Sequence, residues 1–451
     1  MQKPLIAVLL ASAFVSLNAG AADLIQVYQQ ALANDAVFAS ARAAVEAGRE
    51  KSTQGRSLLL PSALVSGSVV KNHFNNLPAN VGETVVINGV PVKVQESRGD
   101  TRSNEFTVSL SQPLYRWDRW ETYQQSKLQQ SIAEASFAQA QQDLITRVAQ
   151  AYFDVLAAQD TLESTRAEKA AVTEQLASAK RNFEVGTQTI TDTHEAQAAY
   201  DLVVSREFAA VNDLDVKRAA LQAIIGKAPD NLAPLKPGVT LSAPQPMAID
   251  NWTSAAENQN YGVVASTLNL EVAKREISKQ RAGHYPTLDL VASSRHTKLD
   301  GDTNSPGTVK NNAIGVQWSV PLFSGFGVTS RVREAISLED KARNDLEANR
   351  RSAALNARQA FLGVNSGMAQ VKALEAAEVS SQSALESNKL GYQVGVRINI
   401  DVLNAQRQLY STRTQLALAR YQTIVNGLKL KSAAGALREE DLVPVNNLLQ
   451  K

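Results

Sequence analysis

The chain contains no cysteine in its 451 residues. That removes disulfides, thiolate metal sites and cysteine nucleophiles together. It also removes the acceptor for an N-terminal lipid anchor. Histidine is scarce as well. His73, His194, His284 and His296 are scattered without ligand spacing, so no metal centre is expected. No Gly-rich phosphate loop or nucleophile elbow occurs, so neither a cofactor nor an enzymatic activity is expected. Neither sign of charge dominates. With 46 Lys and Arg against 44 Asp and Glu, the net charge is +2, and nothing points to nucleic acid. Long apolar runs are also missing. Leu5 to Leu17 is mostly apolar, follows Lys3 and precedes the small residues Ala19, Gly20 and Ala21. It is too short to span a bilayer as a helix, which takes about 20 residues. Residues 1–22 therefore read as a secretory signal, with a mature start near Ala22 or Asp23. The rest of the chain is either soluble or enters a membrane as strands.

What the sequence does have is a repeat. Phe183-Glu184-Val185-Gly186 corresponds to Tyr392-Gln393-Val394-Gly395, and Gln150-Ala151-Tyr152-Phe153 to Gln359-Ala360-Phe361-Leu362, both at an offset of 209. Gln112-Pro113-Leu114-Tyr115 mirrors Val320-Pro321-Leu322-Phe323, and Leu60-Pro61 mirrors Tyr285-Pro286. Units this long are not solenoid repeats, whose periods run about 20–50 residues. They read as a duplicated half-structure: 23–226 and 251–432, with a linker at 227–250 and a C-terminal segment at 433–451. The linker carries Pro229, Pro234, Pro237, Pro244 and Pro246, which forbid a continuing helix.

Each half has the same order. A helical stretch (23–59, then 251–283) leads to a β-hairpin (62–112, then 287–320). A long helix follows (114–185, then 329–394), and a shorter one returns (192–225, then 401–432). Residues 114–185 hold no Gly or Pro. A helix that long reaches roughly 100 Å, at about 1.5 Å per residue. Leu144, Val148, Ala151, Val155, Ala158 and Leu162 alternate four and three apart, as do Val402, Ala405, Leu409, Thr412, Leu416 and Ala419. That 3.5-residue period drives supercoiling of neighbouring helices. It fits the wall of a helical cylinder and equally a plain coiled-coil stalk.

In the strands, Phe106, Val108 and Leu110 alternate with Glu105, Thr107 and Ser109; Ile314, Val316, Trp318 and Val320 alternate with Gly315, Gln317 and Ser319. Alternation means one apolar and one polar face. Runs of about 9–10 residues suit a tilted membrane strand, although a half-buried soluble sheet gives the same pattern. Pro113 and Pro321 are expected to stop strands two and four at one end. Tyr115, Trp117, Trp120, Tyr123, Phe323 and Phe326 beyond those ends suit an interface belt or a plug. The segments 71–103 and 297–312 read as polar loops. Four strands leave two open edges, which hydrocarbon does not tolerate. Membrane strands would thus have to be pooled by several copies.

This order of elements, twice over, resembles the TolC family of outer-membrane efflux and secretion channels. Leu24-Ile25-Gln26-Val27-Tyr28-Gln29-Gln30-Ala31, Gly283-His284-Tyr285-Pro286-Thr287-Leu288-Asp289-Leu290, Val394-Gly395-Val396-Arg397-Ile398-Asn399-Ile400-Asp401-Val402-Leu403 and Lys431-Ser432-Ala433-Ala434-Gly435-Ala436-Leu437 carry the resemblance. It implies a mainly α fold with a β-barrel portion. The barrel would be a trimeric, twelve-stranded one in the outer membrane of a Gram-negative bacterium, four strands per chain. It would be continued by a periplasmic α-helical barrel with a coiled-coil tip. The implied function is the exit duct of tripartite efflux pumps and type I secretion systems, carrying small molecules, proteins or both. The implied partners are a periplasmic adaptor, an inner-membrane RND or ABC-type transporter and outer-membrane lipid. A soluble periplasmic coiled-coil adaptor is the alternative.

The resemblance also implies site residues. Gly186 and Gly395 would form the tip turns. Asp401 would ring a constriction, with Asn404 at the next ring position, where the family's pattern has a second aspartate; that departure implies weaker block by cations. Tyr392 and Arg397 would form a gate latch, with partners at Asp192 and Thr191. Asp401 has a plainer role open to it, since an acid in a first helical turn suits the helix N-terminus.

Overall fold

The computed structural model describes residues 21–301 and 306–450. The expected signal segment therefore lies, apart from its last two residues, outside the described residues. The chain folds into two compact units, and neither follows the sequence repeat. Of the described residues, one unit takes 21–43, 136–263 and 349–450, and the other 44–135, 264–301 and 306–348, so each draws on both halves.

The first unit is a helical one. It contains α1 (Leu24–Asn34), the start of α2 (Ala36–Ser57), most of α3 (Trp117–Glu184), α4 (Ile190–Ile225), α5 (Ile249–Gln259), the start of α6 (Tyr261–Arg281), most of α7 (Gly327–Gln393), α8 (Asn399–Ala433) and α9 (Leu442–Asn446). The heptad reading holds on both long seams. Leu144, Val148, Val155, Ala158 and Leu162 are buried on α3, as are Val402, Leu409, Thr412, Leu416 and Ala419 on α8, with Ala151 and Ala405 half-buried. Proline keeps the linker extended. It bridges to Ala22 through Leu232 and to Leu449 through Leu235. The buried Tyr152 hydroxyl donates to the carbonyls of Ala22 and Ala233, tying both segments to α3.

The two entering helices are broken where unbroken ones are expected. At Asp35 the carboxylate accepts from the Phe38 N–H at 2.6 Å and restarts the helix as α2. Asn260 does the same work in the second half, accepting from the Gly262 N–H and donating to the Ala433 carbonyl. Short polar side chains offer the backbone a local partner that competes with the helix ladder. Arg147 adds a bidentate pair to Asp35, both bonds 3.0 Å. Burial alone would raise the Asp35 carboxyl, but hydrogen bonds from Arg147 and from the backbone of Phe38 outweigh it and hold it low. A lowered carboxyl stabilises the fold above its unfolded value of 3.8, and that contribution disappears as the pH falls through the folded value. Asp35→Ala is expected to cost about 1 kcal/mol for the cap alone. It should also flatten the acid limb of thermal stability followed by circular dichroism. An unchanged acid limb would remove Asp35 from that role.

The second unit carries the sheet. β1 (Ser62–Asn76), β4 (Ser97–Tyr115), β5 (Thr287–Gly301) and β6 (Gly307–Ser319) pair antiparallel in the order β1-β4-β5-β6. The strands run well past the expected length. Residues 71–103 are not a plain loop: β1 and β4 continue into it, and β2 (Thr84–Ile87) and β3 (Val90–Lys93) form a ribbon at its end. Asn88 and Gly89, both at positive φ, make its turn, as Asn-Gly does in tight hairpins. Pro321 lies just past the end of β6, but Pro113 does not end β4. It pairs with Asp289 beside an irregularity between Pro113 and Tyr115, where β1 has already ceased to pair. A residue without an N–H is tolerated at such a bulge. Arg116 then clamps the Asp289 carboxylate through Nε and Nη2 of its guanidinium, fixing where α3 leaves the sheet.

Register brings the alternating residues together. One face collects Ala63, Val65 and Val69, then Phe106, Val108 and Leu110, then Leu288, Leu290 and Ala292, then Ile314, Val316 and Trp318. The other is mostly polar, with Ser66, Ser68, Glu105, Thr107, Ser109, Ser293, Arg295, Asn311 and Gln317, and carries Leu64, Val70 and Val291 among them. The apolar band is exposed on β1, β4 and β6, with Ile314 at 79% and Trp318 at 71%, and half-buried at Leu288, Leu290 and Ala292 on β5. It crosses the sheet obliquely. Leu110 pairs with Ala292 inside it, yet Phe106 pairs with the polar His296, so the band slides along the strands from β5 to β4.

Candidate functional site

The helical unit turns back on itself twice, after α3 and after α7, with the same hydrogen-bond pattern. Gly186 sits at φ +78 and Gly395 at φ +81. Thr187 N–H donates to the Asn182 carbonyl, and Val396 N–H to the Gly391 carbonyl, each 2.9 Å. This is the six-to-one bond that closes a helix over a left-handed residue. Both glycines stand in open space, so the backbone angle, and not crowding, is what requires them.

The helices that follow start differently. α4 opens with a capping box: Thr189 Oγ1 accepts from the Asp192 N–H, and the Asp192 carboxylate accepts from the Thr189 N–H and hydroxyl. At the equivalent place α8 has Ile398, which caps nothing. The Asp401 carboxylate is consequently not consumed by a capping box. It lies half-buried, with Arg397 at 3.6 Å, and faces a groove with Asn404, Gln408, Ser380, Ser381 and Asn388. An acid, amides and hydroxyls lining one wall can hold hydrated cations or neutral polar groups.

The expected latch pairs are not formed within one chain. The Tyr392 hydroxyl accepts from Gln188 Nε2, while the Asp192 carboxylate is engaged through Oδ2 in the capping box. Arg397 turns to Asp401, one turn along its own chain, and Thr191 stays exposed without it. The Arg397 stem lies over Gly391, where a Cβ would come within 2.7 Å of its Cγ.

Two residues outside the expected set hold this region together. Asn399, fully buried, accepts from Gln175 Nε2 at 2.6 Å and donates to the Asp192 carbonyl at 3.0 Å. It thus joins α3, α4 and α8. Gln188 is the other. An Asn beside the heptad position Val402 was the one signal available for the first; nothing in the sequence marks the second.

The profile of the family described as Outer membrane efflux protein matches residues 27–227 and 252–436. The chain belongs to this family. Over 429 residues it is 35% identical to the outer membrane protein TolC of Vibrio cholerae, covering 94% of this chain and 93% of the relative. It is 30% identical to the alkaline protease secretion protein AprF of Pseudomonas aeruginosa over 94% of this chain and 87% of the relative. Among solved structures, the outer membrane protein VceC of Vibrio cholerae superposes with a TM-score of 0.75 at 18% identity, over 92% of this chain and 96% of that one. Family membership puts the chain in the outer membrane as an efflux and secretion duct and sets aside the soluble coiled-coil adaptor. The fold is that of the TolC family, mainly helical with a β-sheet portion.

Proposed function

We propose that three copies of this chain pool their strands into one twelve-stranded barrel and continue it with helices as a periplasmic tunnel. The observation that carries this reading is the sheet. Its edges β1 and β6 are open, while one face carries an oblique apolar band that crosses all four strands. Hydrocarbon demands paired edges, and a closed barrel supplies them. Twelve strands leave a water-filled lumen, which the polar face lines. The oblique band supports it too, because strands tilted by about 35–45° cross a membrane slab obliquely.

The helices also await neighbours. Leu355, Leu362, Ala369, Ala376, Ser383 and Leu390 recur every seventh residue on α7, and all are exposed. A seam of that period fits a helix of the next copy or of a periplasmic adaptor. The duct works passively, without catalysis, and an RND or ABC-type transporter in the inner membrane supplies cargo and energy. The family's description as efflux proteins and the name of one relative, an alkaline protease secretion protein, favour effluxed small molecules and secreted proteins as that cargo.

In this reading the turns at Gly186 and Gly395 form the tunnel's closed tip. Asp401 and Asn404 ring the throat. Tyr392, Arg397, Thr191 and Asp192 hold it shut, with Gln188 linking Tyr392 to the capped turn. Each latch bond is modest, about 1 kcal/mol. The Tyr392→Phe, Arg397→Ser double variant should therefore raise single-channel conductance in a planar bilayer; unchanged conductance would remove the latch. For the function itself the test is the mass of the detergent-solubilised protein together with its conductance. A trimer with discrete channels is the expected result, and a non-conducting monomer would end the proposal.

A further inference from the structure

The β2–β3 ribbon has no role so far. Register places Val85 opposite Val92 and Ile87 opposite Val90 on one face. Val94, bonded to Glu83 at the ribbon's base, extends that face. Val85, Ile87, Val90 and Val92 are all exposed, and Glu83 is the one charge sharing their side. A two-stranded ribbon is marginal on its own in water. Its apolar face needs cover.

Lipid does not supply it. Beyond the apolar band, β1 and β4 continue through Lys71, Asn72, His73 and Asn75, paired with Arg102, Thr101, Asp100 and Arg98. His73 and Lys71 both contact Asp100 there. Polar but for Phe74, the run from Lys71 to Asn76 extends roughly 20 Å along the strand at about 3.3 Å per residue, and that length of polar chain separates the ribbon from the apolar band. A free-standing partner is a poor fit as well. Five small side chains fall far short of the ~800 Å² per side that a stable protein contact buries. A tethered contact needs much less, because linkage raises the effective concentration to about the millimolar range. The groups always tethered nearby are the same ribbons on the other two copies.

We propose that the three ribbons pack their Val/Ile faces together and narrow the outer mouth of the channel. This rests on the trimer reading. The absence of cysteine makes the test clean, since one introduced thiol is unique. Ile87→Cys puts it on the packed face, and Thr84→Cys on the opposite one. In the purified, detergent-solubilised assembly, mild oxidation should give covalent dimers from Ile87→Cys about tenfold or more faster than from Thr84→Cys. The Ile87→Lys, Val90→Lys variant, which drives the faces apart, should raise conductance. A trimer in which Ile87→Cys stays unlinked and freely labelled by maleimide would overturn the ribbon contact alone. Cross-linking in whole cells to a different outer-membrane component would give the face to a foreign partner and overturn it too. A monomeric particle before oxidation would overturn the trimer reading itself.

Discussion

Val316→Lys should keep this protein out of the outer membrane, while Gln317→Lys, one residue further on, should assemble normally. The two neighbours sit on opposite faces of β6. Val316 pairs with Leu290 inside the apolar band; Gln317 pairs with Asp289 on the polar side. A lysine on the lipid face costs about 2–4 kcal/mol near the bilayer midplane. In the proposed trimer the cost is threefold, roughly 6–12 kcal/mol, comparable with the whole stability of a folded domain. On the lumen side the same lysine meets water, next to Asp289, and alters conductance and ion preference instead. Membrane fractionation and the gel mobility of unheated samples read the difference. Equal assembly of both variants would mean that the sheet faces are not lipid and lumen.

Asn404→Asp should tighten block of the channel by trivalent cations by about tenfold or more. In the proposed trimer the ring would hold three carboxylates from Asp401, each offset in part by its own Arg397 at 3.6 Å. Three more would double the count in one narrow section. A unit charge pair at about 4 Å is worth ~1 kcal/mol in water and ~4 kcal/mol in a site of intermediate polarity, and each 1.4 kcal/mol is a factor of ten. Asp401→Asn should abolish block altogether. Half-blocking concentrations in a planar bilayer measure both. If Asn404→Asp blocks no better than the unaltered protein, residue 404 does not face the throat.

Much of the architecture was legible because it rests on periodicity. The two-residue alternation of Phe106–Leu110 and the 3.5-residue alternation of Leu144–Leu162 survive into the folded chain as a sheet face and a buried seam. Periodicity is silent about where elements stop. Asp35 and Asn260 each divide a helix that a count of apolar positions runs straight through, because a single side-chain hydrogen bond outcompetes the ladder there. Pro113 errs the other way. It looks like a strand end, yet β5 continues alongside it. At the turns, residue identity gave the candidates without their partners. The family resemblance names Tyr392 and Arg397, but in the structure Gln188 bonds the Tyr392 hydroxyl and Asn399 bonds the Asp192 carbonyl. Side-chain pairing between segments some 200 residues apart leaves no local mark.

The unequal starts of α4 and α8 carry a mechanical consequence. Thr189 and Asp192 rivet one return of the chain, with the cap worth about 1 kcal/mol, and Ile398 leaves the other unriveted. In the proposed ring of three chains, six hairpins would meet at the aperture, alternately stiff and loose. Such an iris would dilate by swinging three blades against three fixed posts. Each swinging blade must first release Asn399 from Gln175 and from the Asp192 carbonyl.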